Sequence, residues 1–314
     1  MVDMPPLNLE RWKKMILKQR SIPEELLILR YLRGRLKDLD EDHLKILEKG
    51  FAGELQWDTI VTDALTSSRS LLLNDLLLTS GGQMFQIDSL LLSKKFTIFE
   101  VKNYDGEYFV ENDRWYTITK TEIQNPLIQL HRTETAFRRL LRDLGIHIPV
   151  EAYVVFVNPE FTLFHAPYHP SILLPSQLKR FLQKIKQETC EITNKDQMVA
   201  EKIASCHLKK SPYTRLPCYS YEDLDKGIRC GCCERFLFPL SQSYVYCEIC
   251  GGKEPVEAAV LRNITEYQTL FPEKLVTTIG ILNWCGGIVS EKVIRRILKK
   301  NYNTKGSNRH THFV

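Results

Sequence analysis

The sequence predicts a mixed α/β domain, a central sheet flanked by helices, followed by a small cysteine-ligated module and a basic helix-turn-helix-like domain. Three observations carry this reading. Short β-type runs lie between helix-patterned stretches; two Cys-x-x-Cys pairs stand thirteen residues apart; and a helix-glycine-helix pattern coincides with accumulated positive charge. A chain of 314 residues exceeds what one core needs, so several domains are expected. With 43% hydrophobic and 26% charged residues and no long apolar run, disorder and membrane insertion are disfavoured. The first residues lack an apolar leader region, so no secretory signal is expected and the protein is assigned to the cytoplasm.

Residues 7–65 read as helices, with dense apolar positions at Leu26, Leu27, Leu29, Tyr31 and Leu32, and with Gly50 and Gly53 punctuating the last stretch. We place a helical region at 1–48 and the α/β domain at 49–187. Within the latter, Ser70–Leu78, Met84–Leu92, Phe96–Lys102 and Tyr108–Thr119 are strand-like and separated by Ser80-Gly81-Gly82, Lys94-Lys95 and Asp105-Gly106. Asn125 caps and Pro126 starts a helix to about residue 143, striped by Leu127, Leu130, Phe137, Leu141 and Leu144. Strands Glu151–Asn158 and Phe161–His165 and a helix after Pro175 complete the unit. Residues 188–226, polar and Pro-containing, read as a linker.

Alternation along Phe96–Lys102 puts Phe96, Ile98, Glu100 and Lys102 on one face, and both faces begin apolar, so the strand is central. A buried carboxylate and amine at its end form either an internal ion pair or a functional site. Asp88, on the preceding strand, changes the balance, because antiparallel pairing brings it beside Glu100. Two carboxylates and a lysine suit Mg²⁺ or Mn²⁺ and phosphodiester hydrolysis, with Lys102 orienting water or neutralising charge. Asp75 reads as a turn or strand-edge residue and His131 as a surface helix residue.

These motifs, with Lys49-Gly50-Phe51-Ala52-Gly53-Glu54 before them and Asn125-Pro126-Leu127-Ile128-Gln129 after them, resemble the nuclease-related (NERD) domain of the PD-(D/E)XK superfamily. The resemblance runs from Gly50 to about His165. It implies a restriction-endonuclease-like fold, metal ligation by Asp88 and Glu100, and Lys102 as the catalytic lysine. It also implies Glu54 as an additional helix carboxylate and Gln129 as a helix glutamine near the site.

Cys230-Gly231-Cys232-Cys233 and Cys247-Glu248-Ile249-Cys250 have zinc-ribbon spacing, placing a structural Zn²⁺ on Cys230, Cys233, Cys247 and Cys250 in a module at 227–253. Cys232 competes with Cys233 as a ligand; matching the second pair favours Cys233. Gly251 is expected to permit close backbone approach. Cys190, Cys206, Cys218 and Cys285 are scattered and read as ordinary small residues.

The overall charge is only +5, yet from Leu275 onward seven basic residues face one acid, Glu291. Thr277–Cys285, then Gly286-Gly287, then a helix capped by Ser290 with Val293, Ile294, Ile297 and Leu298 inward, follow helix-turn-helix grammar. Lys292, Arg295, Arg296, Lys299 and Lys300, with Lys305 and Arg309 in a following hairpin, are candidates for nucleic-acid phosphates in a winged-helix-like domain at 254–314. His310 and His312 read as exposed. The leading expectation is therefore a metal-dependent nuclease acting on DNA. The competing one is a catalytically inactive DNA-binding or regulatory protein of the same fold. RNA stays open as the target, and no residue pattern settles the oligomeric state.

Overall fold

The computed structural model describes residues 15–65, 70–188, 191–210, 214–306 and 311–314. The chain forms two compact units. One comprises the described residues of Met4–Ile22 and Lys45–Tyr213, and the other comprises Pro23–Leu44 and Thr214–Val314. Strand β1 (Ile16–Lys18) precedes helices α1 (Glu24–Leu32) and α2 (Glu41–Leu65), and the boundary between the units falls inside α2. Strands β2 (Leu71–Ser80), β3 (Gln83–Leu92), β4 (Phe96–Lys102), β5 (Gly106–Glu111), β6 (Arg114–Thr117) and β7 (Glu122–Ile123) lead to α3 (Pro126–Asp143). The unit finishes with β8 (Val150–Phe156), β9 (Phe161–Phe164), β10 (Ile172–Leu173), α4 (Pro175–Glu188) and α5 (Asn194–Ser205).

The main sheet is mixed, in the order β1-β2-β3-β4-β8-β10, with β2-β3-β4 antiparallel and the other neighbours parallel. Phe96 and Ile98 of β4 enter one core with Leu130, Phe137 and Leu141 of α3 and Ala200 and Ile203 of α5. Phe99 and Val101 enter the opposite core with Trp57 and Val61 of α2 and Leu178 and Leu182 of α4. Helices cover both faces, so β4 is central, as its double-sided apolar alternation requires. A second sheet, β7-β6-β5-β9, extends from the end of β4.

Several expectations are corrected. Ile16–Lys18, read as helical, pairs in parallel with β2, because sheet pairing and burial of Met15 outweigh local helix propensity. Gly50 and Gly53 lie within α2 and do not end it. The run Tyr108–Thr119 is two strands, reversed at Asn112 and Asp113, both with positive φ, and it belongs to the second sheet. Within the stretch read as a linker, Thr193 and Asp196 form a reciprocal capping box that starts α5, whose Ala200 and Ile203 are fully buried. Cys190 lies outside the described residues.

In the other unit a three-stranded sheet, β11 (Phe238–Pro239), β12 (Tyr244–Tyr246) and β13 (Lys253–Pro255), adjoins α6 (Val256–Leu270). Helices α7 (Thr278–Trp284) and α8 (Glu291–Asn301) and the hairpin β14 (Thr304–Lys305) with β15 (His312–Phe313) follow. In α7 Ile279 is exposed, whereas Trp284 is fully buried. The centre of this unit is Arg35, just after α1. Its guanidinium pairs with Glu266 at 2.7 Å, donates to the carbonyls of Asp225 and Gly227 and to Asn263 Oδ1, and lies 4.2 Å over the Trp284 ring. Every nitrogen of the guanidinium thereby donates to a protein oxygen, four of its five N–H groups in all, which is what makes a buried guanidinium tolerable. No helix of the described residues is long and apolar enough to cross a membrane.

Candidate active site and metal centre

Register builds the sheet-end cluster. The last paired residues of β3 and β4 are Ser89 and Phe99, so Asp88 comes next across from Glu100. Asp88 Oδ2 accepts the Val101 backbone N–H at 2.8 Å, which fixes the carboxylate against β4. Lys102 Nζ donates to Glu100 Oε1 at 2.8 Å and to Gln129 Oε1 at 3.0 Å. Gln129 stands in the first turn of α3, where Asn125 Oδ1 accepts the Leu127 N–H and Pro126 pre-sets the helical φ. Thus Asp88, Glu100, Lys102 and Gln129 converge.

Glu54 arrives from α2. Gly53 lets that helix approach the loop after β4, since a Cβ there would lie 2.4 Å from Asn103 Cβ, and Asn103 Nδ2 donates to the Lys49 carbonyl. Arg20, which sequence reasoning did not single out, then ties Glu54 to the sheet. It pairs with Glu54 at 2.6 Å, grips Asp58 with two bonds of 2.9 and 3.0 Å, and donates to the Asp88 carbonyl at 2.8 Å. The one available signal was the i, i+4 acid pair Glu54 and Asp58 on a helix, which calls for a cation without saying which. Asp75 is no turn residue: it lies within β2 across from Asp88, at φ 54°, held by Lys18 and by Gln86 Nε2 at 3.2 Å. His131 is exposed on α3.

Electrostatics follow from burial. Glu100 is pushed up to about 7 by burial and then by Asp88, against Lys102. Burial and Asp88 likewise push Glu54 up to about 8, with Arg20 opposing. Asp88 is also raised by burial, against the Val101 N–H and Lys102. For Lys102, burial pulls down, but Glu100 outweighs it and the amine is held charged. The site thus stores mutually repelling carboxyls beside two fixed cations, the arrangement that a divalent ion relieves.

The four cysteines make a separate centre. Cys230, Cys233, Cys247 and Cys250 hold their sulfurs within 4.8 Å of one another, with Cys233 and Cys247 sulfurs 3.3 Å apart. Cys232 points elsewhere and is exposed, while its backbone N–H donates to Cys230 Sγ at 3.4 Å, so Cys233 is the fourth member of the cluster. Gly251 serves through its φ of 70°, since a Cβ there would meet open space. Among the described residues no trio of carboxylates comes as close as these sulfurs.

On α8, Ile294, Ile297 and Leu298 are buried, Val293 is half-buried, and the five basic side chains are exposed. Two of them are partnered: Arg295 with Glu291 and Lys300 with Glu257 at 2.8 Å. Ser290 precedes the helix without a side-chain capping bond. Lys305 is on the exposed β14, and Arg309 and His310 lie outside the described residues.

Residues 49–157 match the family model described as nuclease-related domain. No curated protein and no solved structure matches the chain.

Proposed function

We propose that the nuclease-related domain hydrolyses phosphodiester bonds with a divalent cation. The carrying observation is the convergence of Asp88 and Glu100 with Lys102, itself bonded to both Glu100 and Gln129. The donor set fits a hard cation: oxygens only, on buried carboxyls whose ionisation is costly without a compensating positive charge. Asp88 and Glu100 would hold Mg²⁺ or Mn²⁺. Such an ion supplies Lewis acidity toward a phosphoryl oxygen and lowers the pKa of water.

The chain's own groups do the rest. Lys102, kept charged by Glu100, neutralises charge that develops on the phosphoryl oxygens and positions the attacking water. Gln129 fixes the Lys102 amine. Glu54, with an affinity for protons near neutrality, exchanges one with solvent or substrate beside the reacting centre.

DNA is the proposed substrate. The basic face of α8 and the hairpin after it would hold it, in a winged-helix-like domain pinned by Zn²⁺ on the four cysteines. The clustered thiols fit a reducing cytoplasm. The test is cleavage of linear, supercoiled and single-stranded DNA, and of RNA, with Mg²⁺ or Mn²⁺. Asp88→Asn, Glu100→Gln and Lys102→Ala are each expected to lower the rate about 10²–10⁴-fold with an unchanged circular dichroism spectrum. A parent protein that shifts DNA on a gel but cuts nothing would replace this reading with a binding protein of nuclease-like fold.

A further inference from the structure

A cleft of about 780 Å³ lies between the β11–β12 turn and the start of α8. Its composition is uneven. The back is aliphatic, formed by the buried Val245, Val256 and Val289 with the half-buried Ile288 and Val293. The rim on the α8 side carries the exposed Lys292 and Arg296, one helical turn apart, and the opposite rim carries Ser241 and Gln242. Among the described residues no carboxylate lines it.

From this pattern we infer that the cleft takes an unpaired nucleotide of a single-stranded nucleic acid, its base against the aliphatic back and its flanking phosphates on Lys292 and Arg296. The inference rests on α8 as a nucleic-acid contact and adds what kind of strand that contact selects. Positions i and i+4 on a helix are about 6 Å apart along the axis, so two cations follow a strand and do not crowd a single phosphate. A base offers a flat apolar face to the valines and polar edges to the Ser241 hydroxyl and the Gln242 amide. A duplex cannot use the cleft without extruding a base, which costs a few kcal/mol by unstacking and unpairing. A single strand, an overhang or a frayed end enters without that cost.

Both walls are held rigidly. The turn with Ser241 and Gln242 lies between Cys233 and Cys247, and α8 is anchored through Ile294, Ile297 and Leu298. The cysteine centre therefore determines whether one wall exists.

The experiment measures fluorescence anisotropy of labelled single-stranded DNA, single-stranded RNA, a duplex with an overhang and a blunt duplex. It uses full-length Asp88→Asn protein, so that cleavage plays no part. The expected result is at least tenfold tighter binding of single strands and overhangs than of the blunt duplex. Gln242→Trp, an exposed position that fills the cleft, should remove that preference while the duplex affinity holds. Lys292→Ala with Arg296→Ala should weaken single-strand binding about tenfold and reduce the salt slope by about 1.4, the value for two single-strand phosphates. Zinc content of each variant reports an intact module. Equal affinity for blunt duplex and single strand, or an indifferent Gln242→Trp, overturns the cleft assignment and leaves α8 as a duplex contact. Absence of binding to every probe overturns the reading of α8 as well, and neither result touches the nuclease site.

Discussion

The carboxylate cluster and the cysteine cluster are both places where acidic side chains are brought together, yet they are assembled in opposite ways. The cysteines come from two short turns twenty residues apart at most, and their sulfurs face one another with only backbone N–H groups donating to them. The carboxylates come from β3, β4 and α2, and between them the protein inserts its own cations, Lys102 and Arg20. The lesson concerns dependence on metal. Thiolates gathered with only a peripheral Arg262 beside Cys230 are expected to depend on an ion for folding, whereas carboxyls furnished with their own lysine and arginine are expected to fold before any ion arrives.

Breaking the cysteine side should have the largest effect. Cys247→Ser or Cys250→Ser is expected to lose the single zinc and the three-stranded sheet, since such sites hold about 10–16 kcal/mol of apparent binding free energy in small modules. Cys232→Ser should keep both, as measured by metal analysis and limited proteolysis. On the carboxylate side, Arg20→Met strips the half-buried Glu54 and Asp58 of their shared cation and should cost about 1–3 kcal/mol in urea unfolding. Arg20→Lys should recover part of that, because an ammonium cannot reproduce the two-bond grip on Asp58.

The pH response sharpens the same contrast. Glu100 near 7 and Glu54 near 8 sit above the ordinary glutamate value, so the protonated forms are favoured by folding. Their contribution to stability is full in acid and is lost as pH rises through 7 to 8, while the divalent ion needs the deprotonated forms. Mn²⁺ at a hundred times its dissociation constant should therefore stabilise by about 2–3 kcal/mol at pH 8.5 and by much less at pH 5.5, read as a shift in thermal midpoint. The smallest effects separate two glycines. Gly53→Ala must displace Asn103 and should cost about 1–3 kcal/mol. Gly50→Ala meets open space within α2 and should gain up to about 1 kcal/mol.

Legibility followed the range of the interactions. Helix α3 begins and ends where Asn125-Pro126 and Gly145 say, because caps are local. The alternation of β4 disclosed both cores and the position of Glu100. The three residues of β1 were illegible because an edge strand so short is defined by its partner β2, and with β1 went Arg20, whose role exists only once β1 lies on the sheet. The α5 helix was legible in principle from its capping box, but its polar composition masked the two residues it buries. The split of the basic face into partnered and unpartnered residues depends on Glu257, which is forty-three residues from Lys300.

Arg35 carries a consequence for the order in which this chain is made. Its partner Glu266 lies 231 residues downstream. A ribosome adding about 5–20 residues per second reaches that glutamate about 10–45 s after Arg35 is joined. For that interval α1 waits for its contacts with α6, while the whole nuclease-related domain emerges and closes. The unit to which Arg35 belongs is thus completed last, and a fragment starting at Thr214 would lack its central arginine however long it was given to fold.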